Sequence, residues 1–144
     1  MSYKKIHFVS SKNKDAVKAK NSLMKKYNDY SIDEADLIVA LGGDGLMLQT
    51  LHDNIEEAKP IFGMNKGSVG FLMNDFNNDD LMKRINSATL TKVYPLKMTV
   101  KTQEKEISAK AINEVSLLRQ TYQAAKIKIK IDNKIRLDEL ICDG

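Results

Sequence analysis

The sequence predicts an α/β fold in two parts: a Rossmann-like N-terminal domain on a parallel sheet, followed by the start of an antiparallel β domain. Three observations carry this. Strand-like apolar runs alternate with segments of helical spacing as far as Val93, two of those runs end in glycine-bearing loops, and period-two alternation takes over afterwards. The expected domains are residues 1–93 and residues 94–144.

Ile6-His7-Phe8-Val9 is a short apolar run stopped by Ser10-Ser11. Ala16, Val17, Leu23, Met24 and Tyr27 then recur at helical spacing on a lysine-rich background, which predicts a strand and an amphipathic helix. The unbroken apolar run Leu37 to Leu41 predicts a strand buried on both faces. It stops at Gly42-Gly43-Asp44-Gly45, and Met47, Leu48 and Leu51 open a helix from about Leu46 to Asn54. Pro60 to Asn65 repeats the theme as a third strand, ending in Lys66-Gly67-Ser68-Val69-Gly70-Phe71. Asn78 is expected to cap a helix ending near Ala88. Asp79 and Asp80 would lie in its first turn, where the helix dipole favours carboxylates, and Leu81, Met82 and Ile85 on its buried face. In such alternation ligands bind at the carboxyl ends of the strands, where both glycine loops fall.

Beyond Val93-Tyr94-Pro95 the predicted strands are Met98 to Thr102, Ile107 to Val115, Ala125 to Ile131 and Ile135 to Leu140, with Asp132-Asn133 turning a hairpin. Ile127, Ile129 and Ile131 alternate with Lys126, Lys128 and Lys130, which predicts one buried face and one wet face. Residues 94–144 are little material for a self-sufficient β domain, so this region is expected to be cut short.

A chain of 144 residues with 42% hydrophobic residues can build a core of ordinary size. The formal charge of +4 is spread as lysine, without the interleaved aromatics or glycine-arginine tracts of a nucleic-acid binder, so no nucleic-acid partner is expected. The single cysteine, Cys142, rules out an internal disulfide and offers no metal-ligand spacing. With no long apolar segment, no membrane partner is expected, and the cytoplasm is the expected location.

The chemistry concentrates in the first glycine turn. Gly42, Gly43 and Gly45 let the backbone take positive φ and let a ligand approach without Cβ atoms in the way. The following helix aims free N–H groups at the same spot, and the visitor that suits it is a phosphate. Asp44 would repel a bare phosphate; its task is to hold a metal or to accept a proton from an attacking hydroxyl. Asn113-Glu114, poor strand formers between Ile112 and Val115, also point to a task rather than to packing.

Gly42-Gly43-Asp44-Gly45, then Asn65-Lys66-Gly67-Ser68-Val69-Gly70-Phe71, then Asn113-Glu114 resemble, in order, the motifs of the NAD kinases. The resemblance implies transfer of the γ-phosphoryl of ATP, with Mg²⁺ or another divalent cation, to the 2′-hydroxyl of the adenosine ribose of NAD. It makes Asp44 the general base and the glycine turn the phosphate-binding element. It assigns NAD contacts to Asp44, Gly45, Leu48, Phe71, Asn113, Glu114 and Asp143, and it implies a homodimer or homotetramer at full length. Leu46 stands where the wider group commonly has threonine or serine, so a hydroxyl contact to phosphate or metal is missing. The family's Thr-Pro-x-Gly-Ser-Thr-Ala-Tyr segment would begin beyond Gly144, so the chain is expected to be an N-terminal portion with reduced activity alone. Two alternatives stay open. A lipid or sugar kinase of the wider diacylglycerol kinase and phosphofructokinase group would keep the glycine turn but has no reason to carry Asn-Glu. A non-catalytic nucleotide-binding or assembly module would keep the fold without turnover.

Overall fold

The structure, a computed structural model, describes residues 3–68 and 70–144; Val69 of the second glycine loop lies outside the described residues. The chain divides into two compact units, one ending at Pro95 and one beginning at Leu96.

In the first unit, strands β1 (Ile6–Ser10), β2 (Leu37–Gly42) and β3 (Ile61–Asn65) form a parallel sheet in that order. Every residue of β2 is buried, as its unbroken apolar run requires. The pleat divides its side chains. Leu37, Val39 and Leu41 join Ile6, Phe8, Phe62 and Met64 in one core, which Leu23 of helix α1 (Lys14–Tyr27) and Leu81 and Ile85 of helix α3 (Leu81–Ser87) complete. Helix α2 (Asp44–Asp53) packs on β2 and β3 and buries Met47 and Thr50.

Helix boundaries differ from expectation in two places. In α1 the buried residues are Ala16, Ala19 and Leu23, while Val17 is exposed. The expected N-cap at Asn78 is not formed, because Asn77 makes the turn instead: its Oδ1 accepts the Asp79 amide at 2.9 Å. Asp80 then takes a left-handed conformation (φ 53°) and the helix starts at Leu81, with no carboxylate in its first turn. Asp79 goes to Lys26 of α1, its Oδ1 accepting from Nζ at 3.3 Å, and Asn78 Nδ2 donates to Ser22 Oγ at 3.3 Å. The Asp79 carboxylate raises the Lys26 ammonium pKa above its ordinary 10.5.

In the second unit, β4 (Leu96–Lys101) pairs antiparallel with β5 (Glu106–Ala111), and β6 (Ala125–Ile131) with β7 (Lys134–Cys142). The hairpin turn falls at Asp132-Asn133, both left-handed at φ 51° and 62°, as a tight two-residue turn demands. Two expectations fail here. The strand predicted from Ile107 to Val115 stops at Ala111, paired with Leu96. The next position across is Pro95, which has no N–H to continue the ladder. Nor does alternation produce a buried face: Ile129, Ile131, Ile135, Leu137, Leu140 and Ile141 are all exposed. Each ribbon has two strands, and no third layer among the described residues covers their apolar side.

Candidate active site

Strands β2 and β3 are neighbours, so their carboxyl ends deliver the two glycine loops side by side. The Lys66 amide donates to Gly42 O at 2.8 Å, fastening the second loop to the first. Asn65 braces its own turn, its Oδ1 accepting from the Gly67 amide at 2.8 Å and its Nδ2 donating to Ser68 O at 3.1 Å.

Asp44 is the first residue of α2, two positions earlier than the spacing suggests, with Gly43 as its N-cap. Its carboxylate reaches across to the chain after the second loop. The Phe71 amide donates to Oδ2 at 2.8 Å and the Leu72 amide to Oδ1 at 3.0 Å. Amide bonds to a carboxylate are among the stronger hydrogen bonds, and two of them fix its orientation. This contact also explains Gly70: a Cβ there would sit 2.3 Å from Asp44 Oδ1. The downstream segment is anchored in turn. Asn74 donates to Gly63 O through both its backbone amide and Nδ2, each at 3.0 Å, and Arg84 Nη2 donates to Asp75 O at 2.6 Å. Gly70, Leu72 and Asn74 were not among the predicted site residues. The second glycine of Asn-x-Gly-x-x-Gly was the available signal for the first of them; amide contacts leave no mark on side-chain identity.

The expected positive φ values of the turn are not found: among the described residues the only glycine with positive φ is Gly144. Gly42 is small because a Cβ would lie 2.8 Å from Leu46 Cδ2, whereas the Cβ positions of Gly43 and Gly45 face open space. The amides of Leu46 and Met47 turn back to Gly43 O, and helix geometry leaves those of Asp44 and Gly45 pointing out of the helix end beside that space. Leu48 follows Asp44 by one turn on the same side of α2 and is half-buried. The Phe71 side chain is fully exposed, at 100%. One region of the first unit thus brings together Asp44, Gly42, Gly43, Gly45, Leu48 and Phe71.

The remaining predicted residues belong to the second unit. Asn113 and Glu114 follow β5 in irregular backbone, corrected from the strand interior, and Asn113 Nδ2 donates to Glu114 Oε2. Asp143 follows β7; Arg119 Nε donates to its Oδ1, and the Arg119 amide to its backbone carbonyl at 2.9 Å. Among the described residues no group of three or more histidine, cysteine or carboxylate side chains could hold a metal ion.

Comparison with known proteins extends this picture. A family model, the ATP-NAD kinase N-terminal domain, matches residues 2–90. An NAD kinase of Brucella suis is 52% identical over 140 residues, 96% of this chain and 54% of the relative. One of Caulobacter vibrioides is 48% identical over 141 residues, 97% of this chain and 54% of the relative. The chain therefore spans about half the length of the curated relatives it matches. A crystal structure of yeast NADH kinase complexed with NADH superimposes with a TM-score of 0.75 at 17% identity, covering 100% of this chain and 57% of the other, which shows a shared fold. With a family model matched across most of the chain and relatives near half identity, the chain belongs to the NAD kinase family.

Proposed function

We propose that this chain is the N-terminal part of an ATP-dependent NAD kinase, in which Asp44 takes the proton from the ribose 2′-hydroxyl of NAD as that oxygen attacks the γ-phosphorus. The observation that carries the reading is the double amide grip on Asp44. Phosphoryl transfer asks a protein mainly for positioning and charge neutralisation. A carboxylate locked in one orientation loses no rotamer freedom on meeting its substrate, and each oxygen keeps a lone pair for the incoming hydroxyl. The open space beside Gly43 and Gly45 leaves room for phosphates against main-chain amides.

On this reading Gly45, Leu48 and Phe71 contact NAD, the exposed Phe71 ring gaining its packing partner from the ligand. Asn113 and Glu114 exchange their mutual hydrogen bond for the vicinal ribose hydroxyls, and Asp143 supplies a further binding carboxylate. NADH, with which the yeast neighbour is complexed, carries the same ribose hydroxyl and suits the same residues. The Mg²⁺ expected of the family finds no resident site: no three-ligand cluster exists among the described residues, and both Asp44 oxygens already accept amides. No step here is routed through it. A cytoplasmic homodimer or homotetramer completes the proposal.

The test is NADP formation from NAD and ATP by the chain continued with the C-terminal half of the Brucella suis relative, with and without Asp44→Asn, alongside calorimetry with NAD. The expected result is heat from NAD in both and turnover only with Asp44. Nucleotide binding with no turnover in either would favour a non-catalytic module.

A further inference from the structure

A groove of about 930 Å³ opens between α1 and the loop after β3, on the side of the glycine turn away from the Asp44 amide grip. Its walls include Asn13, Asp15, Lys18, Lys66, Ser68 and Phe76. The groove abuts the catalytic turn, because its Lys66–Ser68 wall is the segment fastened to Gly42 O, and a Cβ on Gly67 would lie 3.5 Å from the Gly43 nitrogen. We propose that it holds the linear phosphoanhydride chain of the phosphoryl donor, whether of a nucleoside triphosphate or of inorganic polyphosphate. This inference rests on the kinase reading above and adds to it where the donor lies.

The charges support an anion. Two ammonium groups face one carboxylate, and neither lysine is committed to a buried ion pair. Lys18 meets Asp15 only at 3.9 Å, with both side chains more than three-quarters exposed, a pairing worth little in water. The Lys66 ammonium lies 3.4 Å from the centre of the Phe76 ring. That contact is a reserve position: a cation on an aromatic face gains about 0.5–1 kcal/mol at an exposed site, less than a charge-assisted bond to phosphate. On donor binding Lys66 leaves the ring for a phosphate oxygen, and the freed Phe76 face is available to a nucleobase. The wall is also preformed, since Asn13 is held by the Asp15 amide at 2.8 Å and Asn65 by its own turn.

The experiment is calorimetry on the 144-residue protein with ATP and, separately, inorganic tripolyphosphate, comparing Lys18→Met, Lys66→Met, Phe76→Ala and Asp15→Asn, each checked for folding by circular dichroism. The inference expects both probes to bind. Each lysine variant should weaken both at least fivefold, and Asp15→Asn should tighten both. Phe76→Ala weakening ATP alone supports a nucleoside triphosphate in the groove; Phe76→Ala weakening neither supports the inorganic chain. Folded lysine variants that bind both probes like the unchanged protein, or an unchanged protein that binds neither, would overturn it. Failure of the kinase reading looks different, because tripolyphosphate would still bind here while NAD is never phosphorylated.

Discussion

The two units contain strands of similar apolar content and treat them differently. All six residues of β2 are buried, whereas Ile131, Ile135 and Ile141 on the β6–β7 ribbon are 54%, 49% and 61% exposed. The difference is layers. β2 has a paired strand on each edge and helices against the sheet, so both of its faces are covered. The ribbon has one partner strand and no covering layer among the described residues. Alternation in a sequence reports which side chains share a face; it does not report whether anything lies against that face.

Substitutions make this contrast measurable. Val39→Asp, which buries a lone carboxylate at a fully enclosed position, should unfold the first unit outright, and circular dichroism with thermal melting would read the loss. Phe8→Ala, also fully buried, should cost about 3–5 kcal/mol by urea titration. Ile135→Asp on the ribbon should change stability by no more than about 0.5 kcal/mol, and a loss comparable to that of Phe8→Ala would mean the face is covered after all. Amide exchange sharpens the same point without mutation: the amides of Leu37 to Leu41 should be the slowest in the chain, and those of β6 orders of magnitude faster.

The contrast also explains which parts of the fold were legible beforehand. The β2 run, the Leu23 and Ile85 faces and the Asp132-Asn133 turn were readable because each is decided by local pattern or local backbone chemistry. The end of β5 was not, because it depends on Pro95 across the ribbon rather than on Ile112 to Val115. Asn78 looked like a cap as well placed as any, but the neighbouring Asn77 formed its turn first and shifted the helix start to Leu81. In the site, Asp44 and the glycines were visible as residue types. Their reasons were not: Gly42 is small to admit Leu46 rather than to take positive φ, and Gly70 is small because the Asp44 carboxylate occupies the space its Cβ would need.

Two smaller effects probe the connection between the loops. Gly70→Ala should push Asp44 off the Phe71 and Leu72 amides, lowering turnover of the continued chain at least tenfold while leaving the melting of the sheet nearly unchanged. Asn74→Ala removes one bond to Gly63 O and should cost about 1 kcal/mol, with a smaller loss of rate because the backbone amide of residue 74 still holds the strand end.

The most direct test of Asp44 as proton acceptor is the rate of NADP formation by the continued chain carrying Asp44→Asn, measured together with its affinity for NAD. General-base catalysis contributes roughly 10²–10⁴ in rate. The account predicts a fall of at least a hundredfold in turnover with NAD affinity kept within threefold. Turnover within a few fold of the unchanged protein would contradict it.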